Sequence, residues 1–167
     1  MSDLEHKAQA PQSVRCFVIT VSDTRTDATD ASGRAIVALL EAAGHFVSGR
    51  TIVKDDPELV RGTIERQLAN PDVQVIITTG GTGITSRDST YEAVEALLDK
   101  RLPGFGELFR MLSYQEVGAA AMLSRAQMGV RDRRIVVSLP GSPNACRLAC
   151  EKLLIPELGH LVREVSR

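Results

Sequence analysis

The sequence predicts an α/β fold: a single-domain, three-layer α/β/α arrangement around a mostly parallel sheet. Three observations carry this expectation. Strand-like runs rich in β-branched residues recur at 14–21, 45–53, 73–79 and 135–139. Each run ends at small, hydroxyl, acidic or proline residues, and a helix-period stretch follows each of them. Near-continuous apolar strands belong to sheets covered on both faces, and alternation of strand and helix supplies the cover. The 167 residues amount to one domain. A chain of this size buries roughly 70% of its unfolded surface and folds without staples.

Residues 1–13 are polar and carry Pro11, so they read as a flexible N-terminal tail preceding a domain at 14–167. The run 14–21 is a buried strand that stops at Ser22 and Asp23. After a polar loop, Ser32 is placed to cap a helix bearing Ile36, Val37, Leu39 and Leu40, which Gly44 closes. The second strand, 45–53, leads to Asp55-Asp56-Pro57-Glu58: a cap, a proline near the first helical position and an acidic first turn. That helix runs through Val60, Ile64 and Leu68 to Asn70-Pro71.

The third strand, 73–79, runs straight into Gly80-Gly81-Thr82-Gly83. Ser89-Thr90-Tyr91-Glu92 has capping-box spacing and opens a helix through Val94, Leu97 and Leu98. The segment 103–106, Pro-Gly-Phe-Gly, breaks the chain before a helix at 107–117, and 119–130 is open between helix and strand. The fourth strand, 135–139, ends at Pro140-Gly141-Ser142-Pro143-Asn144, and a long helix with Leu148, Leu153, Leu154 and Leu158 finishes the chain.

Composition narrows the function. Twenty basic against twenty-one acidic residues leave a net charge of −1. Without a basic excess, nucleic acid is not an expected partner. No apolar run approaches the ~20 residues of a membrane span, so no membrane association is expected. The N-terminus lacks the apolar core of a secretory signal. Cys16, Cys146 and Cys150 are odd in number and form no CxxC pair, which fits packed or surface thiols in a reducing, cytoplasmic setting. His6, His45 and His160 are scattered, which predicts structural or solvent roles and no zinc site. Covalent hydrolase and dinucleotide-dependent oxidoreductase chemistry have no support, since neither Gly-x-Ser-x-Gly nor GxGxxG is present.

In parallel sheets, ligands sit beyond the carboxyl ends of the strands. Ser22, Asp23 and Thr24, then Asp55 and Asp56, then the glycine loop, then 140–144 follow successive strands and open on one side. Gly80, Gly81 and Gly83 allow close backbone approach and positive φ, and their N–H groups suit an anion. Thr79, Thr82, Thr85 and Ser86 add hydroxyls. This is not a Walker A loop, because no Lys-Ser/Thr follows the glycines. Asp88 has two readings, a helix N-cap or a Mg²⁺ ligand beside a phosphate cradle, and Asp55 shares the ambiguity.

In order along the chain, TVSDTRTDATDASG, TTGGTGITSRDST, PGFGELFRMLSYQEVG, AMLSRAQMG and LPGSPNACRLACEKLLIPEL resemble the MoaB/MogA family of molybdenum cofactor biosynthesis, and the wording around GFGELFRMLS is nearer MoaB. The resemblance spans about residues 14–165. It implies that family's fold and its chemistry, the adenylylation of molybdopterin: AMP passes from ATP, with Mg²⁺, to the terminal phosphate of the pterin and pyrophosphate leaves. The alternative within the same resemblance is a non-catalytic protein that holds molybdopterin or nucleotide for a partner enzyme. By motif, Asp55 and Asp88 match the family's two essential acids and metal ligands. Ser124 matches a serine of pterin binding or catalysis, and Ser22 and Thr79 match positions lining the pterin site. Gly80, Gly81, Thr82 and Gly83 match the nucleotide loop, and Gly141, Pro143 and Asn144 the second phosphate-side loop. Lys54 and Ser86 depart from the pattern, standing where prolines are frequent. The resemblance also implies a homotrimer or homohexamer and contact with other cofactor-biosynthesis enzymes. Apolar Phe105, Phe109, Met111 and Leu112 beside a glycine break supply a candidate self-association surface.

Overall fold

A six-stranded sheet organises the chain; its order is β2-β1-β3-β6-β5-β4. The computed structural model describes residues 2–167. The strands are β1 (Arg15–Val21), β2 (Phe46–Val53), β3 (Val75–Thr79), β4 (Lys100–Arg101), β5 (Gln127–Arg131) and β6 (Arg134–Leu139). The helices are α1 (Asp3–Ala8), α2 (Ala31–Ala42), α3 (Pro57–Leu68), α4 (Thr90–Glu95), α5 (Pro103–Val117), α6 (Pro143–Ala149) and α7 (Ile155–Ser166). Strands β2, β1, β3 and β6 run parallel, while β5 and β4 join antiparallel at one edge. The expected three-layer, mostly parallel architecture holds; the antiparallel edge is added to it.

Alternation along the strands sorts the side chains onto two faces. Cys16 and Val18, Val75 and Ile77, and Ile135 and Val137 face α2, α5, α6 and α7 in the larger core. Ile19 and Val21, Ile76 and Val136 face the other way, onto Val60, Ile64 and Leu68 of α3 and Val94 of α4. All three cysteines are buried in the larger core and unpaired. Burial pushes the Cys16 and Cys150 thiols up to about 12 and Cys146 to about 11, so they are inert packing groups.

Several elements differ from their sequence expectation. Residues 3–8, expected within a flexible tail, form α1, with Ser2 and Glu5 in a reciprocal capping box. This helix lies against α7, where Arg163 donates to Gln9 Oε1 at 2.8 Å; Met1 lies outside the described residues. The cap of α2 is Asp30, not Ser32: its carboxylate accepts from the Gly33 N–H at 3.0 Å. Helix α5 begins at Pro103 rather than after the glycines, because proline suits the first helical turn and Phe105 is drawn into the core. Segment 118–123 is a 3₁₀ turn and 127–131 a strand, which resolves the open stretch. The terminal helix is interrupted by a π turn at Cys150–Leu154, just before Pro156, which lacks the N–H a regular α turn would use.

Candidate functional site

Because β1, β2, β3 and β6 are parallel, their carboxyl ends open on one edge, and four loops meet there. The Ser22 N–H donates to the Val53 carbonyl at 2.9 Å and the Gly80 N–H to the Leu139 carbonyl at 3.0 Å, so the ladder continues into the loops and fixes them mutually. Gly80 has φ 99°, and a Cβ there would lie 2.2 Å from the Val21 carbonyl oxygen. Gly81 has φ 70°, and its Cβ would meet the Thr90 hydroxyl at 2.1 Å. Only glycine fits at these two positions.

Between β1, β3 and the 140–144 segment lies a cavity of about 160 Å³, lined by Ser22, Arg25, Asp30, Thr79, Gly80 and Gly141 among others. Thr79 donates its hydroxyl to the Pro140 carbonyl at 2.8 Å, and Ser32 donates to the Gly141 carbonyl at 2.5 Å. These bonds hold the 140–144 segment over the cavity. Arg25 donates to the Thr29 carbonyl at 2.7 Å and pairs with no carboxylate among the described residues, so its charge remains available to an anion.

The acids occupy distinct positions on this edge. Asp55 is 8% exposed. Its Oδ1 accepts from the Ser89 hydroxyl at 2.7 Å and the Ser89 N–H at 3.3 Å. No donor among the described residues reaches Oδ2, which lies 3.0 Å from where a Gly81 Cβ would stand. Asp88 Oδ2 accepts from the Thr85 hydroxyl at 2.7 Å and N–H at 2.9 Å. Burial pushes the Asp88 carboxyl up, but the Thr85 and Gly83 donors and nearby Arg125 outweigh this and hold it below the usual carboxylate range. The N-cap expectation for Asp88 therefore fails: Asp88 closes the 83–88 loop on itself. Nor does Ser89 cap α4, because its hydroxyl is turned to Asp55. Asp23 accepts from Arg87 at 2.7 Å and from the Asp55 N–H at 3.1 Å; the Arg87 bond holds its carboxyl low.

The structure thus brings Ser22, Thr79, Gly80 and Gly141 around one cavity, with Asp55 beside Gly81 and Asp88 beside Gly83. Thr82 is buried within the loop. Ser124 is set apart. It lines a second cavity of about 190 Å³ with Asn144 and Pro140, beyond the 140–144 segment, and Pro143 begins α6 between them. From the same motif it is Arg125 that reaches the glycine loop, donating to the Gly83 carbonyl at 2.9 Å while pairing with Glu92 and lying 4.9 Å over the Tyr91 ring. Arg25, Asp30, Arg87 and Arg125 were not singled out in the sequence, while Asp23 was named only as a strand-end residue and Ser89 only as a helix cap. Of the four missed residues, Asp30 carried a local signal, its Asp-x-x-Gly spacing before the helix.

The residues expected to form a self-association surface divide between core and exterior. Phe105 and Phe109 belong to the chain's own core, whereas Leu108, Met111, Tyr114, Val117, Met122 and Leu123 are exposed. No helix among the described residues is long and apolar enough to cross a membrane.

Residues 17–160 match the family model described as "Probable molybdopterin binding domain". The chain belongs to the MoaB/MogA family. The molybdenum cofactor biosynthesis protein B of Bacillus cereus is 54% identical over 168 residues, covering 100% of this chain and 99% of the relative. A crystal structure of a molybdenum cofactor biosynthesis protein B superposes with a TM-score of 0.92 at 54% identity, over 95% of this chain and 99% of that one. The tungsten cofactor synthesizing protein MoaB of Pyrococcus furiosus gives 0.84 at 38% identity, over 95% and 100%. The mixed, mostly parallel sheet is the MoaB/MogA fold.

Proposed function

We propose that this protein adenylylates molybdopterin, using ATP and Mg²⁺ in the cytoplasm. The observation that carries the reading is the pair Asp55 and Asp88 flanking a glycine loop, with Oδ2 of Asp55 free of any described donor and Oδ1 of Asp88 free of the Thr85 bonds. A divalent oxygen site uses one or two carboxylates completed by substrate phosphates, so two acids suffice. Asp55 and Asp88 would hold Mg²⁺, which when bound neutralises charge on the triphosphate.

The chain's own groups do the rest by positioning. A terminal phosphate oxygen of molybdopterin forms a bond to the α-phosphorus of ATP; the bond from that phosphorus to the bridging oxygen breaks, and pyrophosphate leaves with the electron pair. The nucleophile is already ionised, so no general base is needed. The loop of Gly80, Gly81, Thr82 and Gly83, with Gly141, Pro143 and Asn144, receives the nucleotide phosphates on backbone N–H groups. Ser22, Thr79 and Ser124 contact the pterin, and Arg25 offsets phosphate charge. Cavities of about 160 and 190 Å³ are each smaller than the roughly 300–1,000 Å³ of a complete ligand pocket. Neither cavity alone would enclose either ligand, and both ligands' residues are divided between the two: Ser22 and Thr79 with Gly80 and Gly141 in one, Ser124 with Asn144 in the other. The exposed apolar side chains of α5 and the 3₁₀ turn form the contact of a homo-oligomer, trimeric or built from trimers.

The test is purified protein with molybdopterin, ATP and Mg²⁺, with products read by mass spectrometry. Adenylylated molybdopterin with equimolar pyrophosphate is the expected result. Pterin binding without AMP transfer would replace this reading with a non-catalytic binding protein.

A further inference from the structure

Two of the three histidines, scattered in sequence, meet where α1 lies on α7, away from the strand-end site. The His6 and His160 rings stand edge to face with centroids 6.0 Å apart. Glu164 Oε1 lies 3.5 Å from His6 Nδ1 and 4.0 Å from His160 Nε2. One donor atom from each residue falls within 4.8 Å of the other two. We propose that His6, His160 and Glu164 form a binding site for a divalent transition-metal ion of the zinc type, which clamps α1 onto α7.

The donor set selects the ion. Two imidazoles and a carboxylate are a zinc-type set with a fourth position for water, whereas Mg²⁺ and Ca²⁺ require oxygen ligands. The imidazole of His160 is oriented for the task. Its Nδ1 lies 3.0 Å from Glu157 Oε2, and a carboxylate accepts there from Nδ1–H. The lone pair is thereby left on Nε2, the nitrogen facing Glu164. A carboxylate behind a histidine ligand fixes the ring and raises its basicity.

The spacing is close to what a metal needs. Bonds of about 2.0–2.2 Å place the donors of a tetrahedral site about 3.4 Å apart. His6 and Glu164 are already at 3.5 Å. The remaining closure is small and falls to side chains with room to rotate, since His6, His160 and Glu164 are 19%, 21% and 40% exposed. Competition is visible too. Arg163 donates to Glu164 Oε1 at 2.6 Å, Arg167 lies 3.4 Å from Oε2, and Lys7 pairs with Glu157. The ion must displace Arg163 from Oε1, which sets the affinity below that of a closed structural zinc site.

The experiment uses the full chain, stripped with EDTA and titrated with Zn²⁺ against a chromophoric chelator. One Zn²⁺ per chain is expected at micromolar concentration, unaffected by millimolar Mg²⁺. His6→Gln and His160→Gln should each weaken binding at least tenfold, and Glu157→Gln by on the order of tenfold through the orientation of His160. Zn²⁺ should slow proteolysis of the N-terminal segment in the wild type only. Melting of each variant in EDTA separates misfolding from ligand loss, since α1 is peripheral. Absence of Zn²⁺ binding by the wild type, or equal affinity in His6→Gln, would overturn the proposal.

Discussion

Asp30 and Asp55 are both buried acids at the strand-end edge, and their surroundings are opposite. Asp30 is 1% exposed and fully engaged: it accepts from Thr20 at 2.8 Å, the Gly33 N–H at 3.0 Å and Arg50 at 2.5 Å. Asp55 is 8% exposed, accepts only from Ser89 on Oδ1, and no arginine or lysine pairs with it among the described residues. An acid surrounded by donors and a cation is architecture. An acid with an oxygen left over beside a glycine loop is the one that the proposed function assigns to Mg²⁺.

The sharpest way to break the comparison is at the closed acid. Asp30→Ala leaves the Arg50 guanidinium, 17% exposed, with only the exposed Asp27 as an ionic partner and removes the α2 cap. Losing one member of a buried pair costs about 3 kcal/mol or more, a fall of roughly 6–12 °C in Tm for a chain of this size. Calorimetry checks it; a shift under 2 °C would make Asp30 a bystander. Next comes the glycine loop, whose Gly81 lies beside the open acid. Gly80→Ala combines positive φ with a 2.2 Å approach to the Val21 carbonyl, while Gly44→Ala has φ 88° and open space. Positive φ alone costs roughly 1–2 kcal/mol, so Gly44→Ala should lose about that and Gly80→Ala clearly more. Equal losses in denaturant titrations would contradict the close approach.

The smallest effect concerns a second closed group. His45 Nδ1 accepts the Val14 N–H at 3.2 Å, and burial pushes its pKa below the usual imidazole range. The unfolded chain therefore takes up a proton first as pH falls, so the unfolded state binds more protons and stability rises with pH in this window. The contribution of His45 is complete above about pH 6.5 and is lost as pH falls through the folded value. Between pH 8 and pH 5 the wild type should lose more Tm than His45→Gln. A larger loss in the variant would reverse the sign.

These contrasts also mark what the sequence could convey. The central parallel strands were legible because buried β-branched runs leave a local trace, and the site loops because they follow those runs. Strand β5 was not, since its hairpin turn places Asp132 and Arg133 at φ 48° and 60° without the glycine that normally signals such a turn. Two-residue β4 carries no periodicity at all. Helix α1 had its Ser-x-x-Glu capping box, but its docking depends on α7 at the far end of the chain. The acids themselves were legible as residue types after strands. What distinguishes them was not: the Asp55–Ser89 and Asp23–Arg87 bonds join residues 34 and 64 apart, and only the folded sheet edge brings them together.

The central claim is that Asp55 serves a ligand rather than the fold. The measurement that tests it most directly compares wild type and Asp55→Asn in Tm and in AMP transfer to molybdopterin. Asparagine keeps an Oδ1 that can accept from Ser89, so Tm should stay within a few degrees. Transfer should fall by roughly 10²-fold or more, about 2.7 kcal/mol of barrier, with pterin affinity retained. Wild-type transfer by a folded Asp55→Asn protein would contradict the account.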